Sequence, residues 1–276
     1  MTDTSVAAAH FATDDFRLGS IISRSGGVLS RHFLTFFMVM LVAYSPTVLI
    51  EGLKTAIGPA PVSRDQVLAW IFWAAAVALL GSVLVMVLST IGCASLMHAT
   101  FQDMGRRPVR LADSLNVALR RFWPLIGVVL VAGFLVGLGS RAFWFGWVTG
   151  SPVGLGFGLL IIPGLILYTM WFAAVPACIV ERCGPWTSLR RSRELTQGHR
   201  WKLFVLALLL LVVNVGSSLV AYELPIFVGP IAEVGGRWIW TAIWTAFSAI
   251  IITVTYYDLR VIKERVDIDQ ITAVFD

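Results

Sequence analysis

Long apolar runs alternate with short charged segments along the whole of this chain. Most of the runs reach or exceed the roughly 17–25 residues that an α-helix needs to cross the hydrocarbon core of a bilayer. The pattern therefore predicts an all-α fold, an integral membrane six-helix bundle in residues 16–260. The predicted spans, numbered 1 to 6, cover residues 33–50, 67–97, 122–138, 153–180, 201–220 and 238–256.

Two of the charged segments carry a helical pattern of their own. In residues 16–31 the apolar positions fall near one face of a helix that is surrounded by arginines, and residues 103–121 repeat that spacing. Such amphipathic helices lie in the plane of the membrane surface. Residues 1–15 are small and polar and are predicted to be flexible, and residues 261–276 are predicted to form a cytoplasmic tail.

The composition agrees with solvation by lipid. Hydrophobic residues make up 58% of the chain, charged residues only 13%, and the mean hydropathy is +0.83, whereas roughly a quarter of the residues of a soluble domain are charged. The net charge of +5 does not indicate nucleic acid. Most basic side chains lie beside apolar runs, where anionic lipid head groups are the nearer partner.

The distribution of lysine and arginine predicts the orientation of the spans. One side of the membrane carries three basic residues in the amino-terminal segment, five in 98–121, six in 181–202 and three in the tail that follows span 6, which is 17 of 21. We call these four stretches the inner segments, because basic residues accumulate on the cytoplasmic side. Both termini are therefore predicted to be cytoplasmic, in a bacterial cytoplasmic (inner) membrane.

The third inner segment has the most specific pattern. Residues 171–201 read WFAAVPACIVERCGPWTSLRRSRELTQGHRW, and Glu181 at the end of the apolar run could pair with one of the arginines across the turn. Two interpretations are open. Arg190, Arg191 and Arg193 could recognise a lipid phosphate, because guanidinium groups fit phosphate oxygens. Alternatively, the basic stretch serves only orientation and a salt bridge.

An arginine precedes an aromatic residue at the start of spans 1, 3 and 5, at positions 31–33, 120–123 and 199–201. The pattern indicates three units, each a basic surface helix followed by an out-and-back pair of spans. The alternative is that any span starting on the cytoplasmic side has this pattern, since arginine and aromatic residues both favour the interface.

Several residues of 177–201 combine into a family-like pattern: Glu181, Gly184-Pro185, Leu189-Arg190-Arg191-Ser192, Leu195-Thr196, Gly198 and Trp201, with Tyr-Tyr-Asp-Leu-Arg at 256–260. This pattern resembles the glycerophosphoryl diester phosphodiesterase membrane-domain family and its relatives of unknown function. The resemblance implies a six-helix integral membrane domain and brings no established chemistry.

No catalytic residue, cofactor or metal site is predicted. The histidines at 10, 32, 98 and 199 lack the spacing of paired metal ligands, and no GxSxG, glycine-rich phosphate loop or HExxH pattern occurs. His98 and Asp103 lie near each other in sequence and are expected only to solvate the surface. The three cysteines, at 93, 178 and 183, are predicted to be free thiols in a reducing compartment.

The sequence therefore predicts a non-catalytic scaffold or accessory factor that contacts anionic lipid head groups or other membrane proteins. A small-molecule or lipid transporter is the alternative. Transporters place ionisable groups inside the membrane, whereas the span interiors here offer only Asn214 and hydroxyl groups. Broken helices bind substrates without charge, however, and Pro46 and Pro163 keep that alternative open.

Overall fold

The computed structural model describes residues 18–57, 64–134, 161–223 and 229–264, and this part of the chain contains helices and no strand. The predicted all-α class is thereby confirmed. The helices are α1 (Leu18–Ala43), α2 (Ser45–Ile57), α3 (Arg64–Met104), α4 (Leu111–Arg120), α5 (Phe122–Phe134), α6 (Ile161–Trp171), α7 (Ala174–Val180), α8 (Pro185–Thr196), α9 (Arg200–Glu223) and α10 (Pro230–Glu264).

Four helical segments are long and apolar enough to cross a membrane: Leu18–Leu53, Gln66–Met104, Arg200–Ser218 and Ala232–Lys263. They correspond to predicted spans 1, 2, 5 and 6. The pair α4 and α5 passes the same test as one segment, although it is bent by 70°. Predicted spans 3 and 4 lie only partly within the described residues, as 122–134 and 161–180.

The helices extend beyond several predicted boundaries. α3 has 41 residues, which at 1.5 Å per residue is about twice the hydrocarbon thickness of a bilayer. Its last residues, 98–104, belong to an inner segment. α10 begins eight residues before predicted span 6 and continues to Glu264, so the first residues of the predicted tail are helical. Residues 1–17 and 265–276 lie outside the described part of the chain.

A proline interrupts the helix of span 1. Pro46 has no N–H, and its ring clashes with the carbonyl four residues earlier, that of Val42. The helix therefore breaks at Tyr44, between α1 and α2. The hydroxyl of Ser45 donates to the Val42 carbonyl over 2.8 Å, so the group that the proline leaves open is still hydrogen-bonded inside the apolar region.

α10 packs along α1 through small residues. Ala242, Ala246 and Ala249 are buried on one face, and small side chains allow helix backbones to approach closely. The indole Nε1 of Trp238 donates to the carbonyl of Leu41 over 3.0 Å. The first and last described helices thus form one packed pair.

Glycines permit two further close contacts. A Cβ atom at Gly92 of α3 would lie 3.2 Å from the Cβ of Ala43, and one at Gly127 of α5 would lie 2.8 Å from Cγ of Pro185. The second contact seats the start of α8 directly against α5. A larger residue at Gly127 would push the surface helix α8 away from the bundle.

Candidate functional site

A proline also breaks the inner end of span 4, and the surface helix α8 repairs the break. Pro176 displaces the carbonyl of Phe172, and the helix is interrupted between α6 and α7. The hydroxyl of Ser192 in α8 donates to the carbonyl of Met170 over 2.8 Å and accepts the N–H of Ala173 over 3.2 Å. One buried side chain of α8 thereby satisfies two backbone groups that the break leaves open.

A partly buried ion pair fixes α8 to the same helix end. Nε of Arg191 lies 2.8 Å and 2.9 Å from the two carboxylate oxygens of Glu181, and the two side chains are only 27% and 20% exposed. The hydroxyl of Tyr256 in α10 donates to Oε1 of Glu181 over 3.1 Å. The pairing that was predicted across the turn is therefore present, and it joins the end of α7 to α8 and α10.

The other two arginines of the predicted site have a different environment. Arg190 is exposed and pairs with Glu194 one helical turn later, Nε to Oε1 3.2 Å. Arg193 is also exposed, and it forms no ion pair with the residues that the structure describes. The structure therefore divides the predicted set into a structural pair, Glu181 and Arg191, and two arginines that face outward.

A fully buried serine recurs in the three surface helices. Ser25 and Ser114 each precede the aromatic residue at the start of the next span by eight residues, and Ser192 precedes Trp201 by nine. All three serines are 0% exposed. The Ser114 hydroxyl lies 2.9 Å from Nδ1 of His98, near the end of span 2, as Ser192 contacts the end of span 4.

The residue before two of these serines is an arginine that pairs with an acid just beyond a predicted span. Arg191 pairs with Glu181, and Arg24 pairs with Asp258 of α10. The second surface helix departs from this arrangement, because Asp113 precedes its serine.

Asp103, at the end of α3, binds the start of span 1 instead. Its carboxylate pairs with Arg31 and lies 3.0 Å from Nε2 of His32. His98 is buried and bonded to Ser114. The expectation that His98 and Asp103 solvate the surface is wrong, because each side chain holds a different inner segment in place.

The backbone breaks where surface helices meet spans. His32 inside α1 has φ −120° and ψ 21°, and Arg121 between α4 and α5 has φ −102° and ψ 13°. Both residues lie in the sparsely populated bridge region, directly before the aromatic residue that starts the span. Residues 197–199 form the turn between α8 and α9 at the third such place.

Contacts among the inner segments close a ring. They are Arg24 with Asp258, Arg31 with Asp103, Arg121 Nη1 with the carbonyl of Arg182 over 2.8 Å, and Lys263 Nζ with the carbonyl of Glu194. Each contact joins one inner segment to another, so all four inner segments lie at the same end of the helix bundle.

Sequence analysis did not identify a cationic cluster at the turn between α8 and α9. Partial burial, together with the charges of Lys202 and Lys263, lowers the pKa of His199 below its ordinary value. Lys263 belongs to α10, 61 residues after Lys202 in the chain. No local pattern could have connected these side chains.

The cysteines of the chain are free thiols. Burial, and then the nearby charge of Glu181, raises the pKa of Cys183, so this thiol is protonated at neutral pH and is a weak nucleophile. Among the residues that the structure describes, no group of three His, Cys, Asp or Glu side chains could hold a metal ion.

Comparisons with protein-family models, curated proteins and solved structures found no match to this chain. The resemblance of residues 177–201 to the glycerophosphoryl diester phosphodiesterase membrane-domain family therefore stays a prediction. The class that the fold defines is an all-α protein with several helices able to cross a membrane.

Proposed function

We propose that this chain is a multi-pass protein of a bacterial cytoplasmic (inner) membrane, with six spans and with both termini in the cytoplasm. The ring of contacts among the inner segments supports this topology. Arg31 and Asp103 flank spans 1 and 2, and Arg121 and Arg182 flank spans 3 and 4. A chain that returns to the same end of the bundle after two spans has crossed and recrossed the membrane.

The six spans form three units of a surface helix and a pair of spans. Three observations support this repeat: the buried serine of each surface helix, the matching backbone breaks at His32 and Arg121, and the equivalent pairs Arg24–Asp258 and Arg191–Glu181. Interfacial preferences of arginine and aromatic residues do not account for serines buried at corresponding positions, because a buried polar side chain has no role in orientation.

The function is that of a non-catalytic scaffold or accessory factor whose inner face binds anionic lipid head groups and, through this face, other membrane proteins. The observation that carries this function is the exposed surface of α8. Arg190 and Arg193 face outward between Trp186 and Trp201, which are 73% and 74% exposed. Tryptophan favours the head-group level of a membrane, and arginine there meets lipid phosphates.

Native mass spectrometry of the protein purified with its native lipid tests this function. We expect the retained lipid to be richer in anionic phospholipid than the surrounding membrane, and Arg190→Gln with Arg193→Gln to reduce that enrichment. Bound lipid with the composition of the bulk membrane contradicts the proposal. Flux of a small solute or lipid through the reconstituted protein would favour the transporter instead.

A further inference from the structure

The turn between α8 and α9 gathers basic side chains from more than one helix. Lys202 lies in the first turn of α9, Lys263 in the last turn of α10, and His199 in the turn itself. Nζ of Lys263 donates to the backbone carbonyl of Glu194 near the end of α8. This hydrogen bond holds the α10 ammonium group beside the turn.

The positive charge of this cluster is not cancelled by α8. Its one acidic side chain, Glu194, is bound by Arg190. Lys202 and Lys263 are both exposed, and their charges act together on His199. Like charges held close repel one another, and an anion bound between them removes that repulsion.

The cluster lies beside a membrane helix rather than in open solvent. Trp201, next to Lys202, is 74% exposed and stacks on Phe204 with ring centroids 5.2 Å apart. It lies in the first turn of α9, one of the helices long and apolar enough to cross a membrane. An exposed tryptophan at that position indicates head-group depth, where the available anion is a lipid phosphate.

The backbone leaves room for such a group. Gly198 has φ +94°, a backbone conformation that residues with a side chain rarely adopt. A Cβ atom built on Gly198 meets nothing within 4 Å. The turn therefore offers an open approach beside His199.

We propose that Lys202 and Lys263, together with His199, bind the phosphate of an anionic phospholipid of the inner leaflet. This site rests on the proposed function and adds to it a defined position and a defined set of donors. The two ammonium groups contact the phosphate oxygens, and the imidazole adds a ring N–H. Trp201 lies against the glycerol and the upper acyl chains.

Titration of the protein in nanodiscs of phosphatidylcholine with increasing phosphatidylglycerol, followed by native mass spectrometry, tests the site. Each basic residue near an anionic surface contributes about five-fold in affinity, so we expect about that loss from Lys202→Gln and again from Lys263→Gln. The matched control is Arg110→Gln with Arg120→Gln, which removes the same charge from two exposed residues, one directly before α4 and one at its last position.

Three outcomes separate the possibilities. If both double variants lose the same amount of affinity for phosphatidylglycerol, the lipid is attracted by the overall positive charge and not by a defined site. This result overturns the site and leaves the proposed function intact. A wild-type protein without preference for phosphatidylglycerol contradicts the proposed function itself. Displacement of the lipid by soluble glycerol phosphate at comparable concentration overturns the assignment to lipid.

Folding is controlled separately. Thermal unfolding in detergent is measured for every variant, and Lys202→Arg with Lys263→Arg should keep the affinity of the wild type. Should Lys263→Gln unfold the protein, because its bond to Glu194 holds α10 on α8, Lys202→Gln alone must still show its five-fold loss. An unchanged affinity in that folded variant overturns the site.

Discussion

Arg190 and Arg191 are adjacent in sequence, yet their side chains have opposite surroundings. Arg190 is 81% exposed and meets a carboxylate of its own helix, whereas Arg191 is 27% exposed and meets Glu181 and, through it, Tyr256. An exposed ion pair contributes little to stability because water and salt screen it. A hydrogen-bonded pair that is mostly withdrawn from water contributes more, since removing one partner leaves the other uncompensated.

We therefore expect Arg191→Ala to lower the free energy of unfolding by about 2 kcal/mol and Arg190→Ala by less than about 0.5 kcal/mol. Chemical denaturation in detergent micelles, followed by tryptophan fluorescence, measures both. In a double-mutant cycle, Glu181→Ala and Arg191→Ala should be strongly non-additive. Equal effects of the two arginine substitutions would show that the Glu181 pair does not anchor α8.

The lowered pKa of His199 predicts that the stability of the folded protein depends on pH. Burial and the charges of Lys202 and Lys263 lower its pKa in the folded protein, so the neutral form is favoured and its stabilisation is present above the ordinary value near 6.5. That stabilisation is lost as the pH falls through the lowered pKa. A phosphate bound beside the three groups reverses the shift, because the imidazolium gains an anionic partner.

Binding of phosphatidylglycerol should therefore strengthen as the pH falls from about 7.5 to about 5.5, by up to roughly ten-fold for each pKa unit that the phosphate restores. The phosphodiester keeps its charge over this range, and Glu194, the carboxylate of α8, is held by Arg190. His199→Gln should abolish the pH dependence while leaving binding at the higher pH nearly unchanged. The same pH dependence in His199→Gln would assign the effect to another group.

At the level of the elements, the short helices α4 and α8 hydrogen-bond to the apolar helices that precede them. α8 supplies Ser192 to the break that Pro176 creates, and α4 supplies Ser114 to His98 of α3. The serine of α1 differs, since Oγ of Ser25 has no hydrogen-bond partner among the described residues. The serines at corresponding positions of the proposed repeat thus differ in their hydrogen bonding.

Ser192→Ala and Ser25→Ala should consequently differ in their effects on stability. The first substitution leaves the Ala173 N–H unpaired in a buried position and should cost about 1–3 kcal/mol. The second removes a buried hydroxyl without a partner and should be neutral or slightly stabilising. The melting temperatures of the two single variants, measured in the same detergent, test this difference. A destabilisation of Ser25→Ala equal to that of Ser192→Ala would contradict this account.

Sequence reasoning succeeded where the determinants are local. The apolar runs of predicted spans 1, 2, 5 and 6, the helix-breaking Gly184-Pro185 and the pairing of Glu181 across a short turn all depend on neighbours in sequence. It could not find Arg24–Asp258, whose residues are 234 positions apart. It could not find the role of Ser192 either, because a serine in a basic segment suggests an exposed position.

For the whole molecule, the decisive feature is the gathering of the inner segments at one end. Their mutual contacts use arginine and lysine as structural donors and leave others, among them Arg193 and Lys202, on the surface. The lysine and arginine residues of the inner segments, which in the sequence indicated only the orientation of the spans, therefore have two physical roles. One part joins the helices, and the other part lies on the surface, where the proposed function places the lipid head groups.

The topology predicts opposite accessibility for two exposed residues. In a protein whose cysteines are replaced by alanine, Arg237→Cys at the other end of α10 should react with a membrane-impermeant maleimide in intact spheroplasts. Gln197→Cys, in the turn after α8, should react only after permeabilisation. Labelling of Gln197→Cys from outside would invert the orientation, and labelling of both positions would contradict the alternation of spans.

The pairing of Arg24 with Asp258, and of α1 with α10 along its length, has a consequence for biogenesis. α1 meets α10, its principal partner, only after the whole of the intervening chain has been synthesised. Until then the face of α1 that α10 covers in the finished protein is open, whereas Ala43 can already contact Gly92 of α3. Truncated nascent chains that stop before α10 should accordingly be cleared by membrane proteases. A circular permutant that places α10 directly ahead of α1 should assemble early.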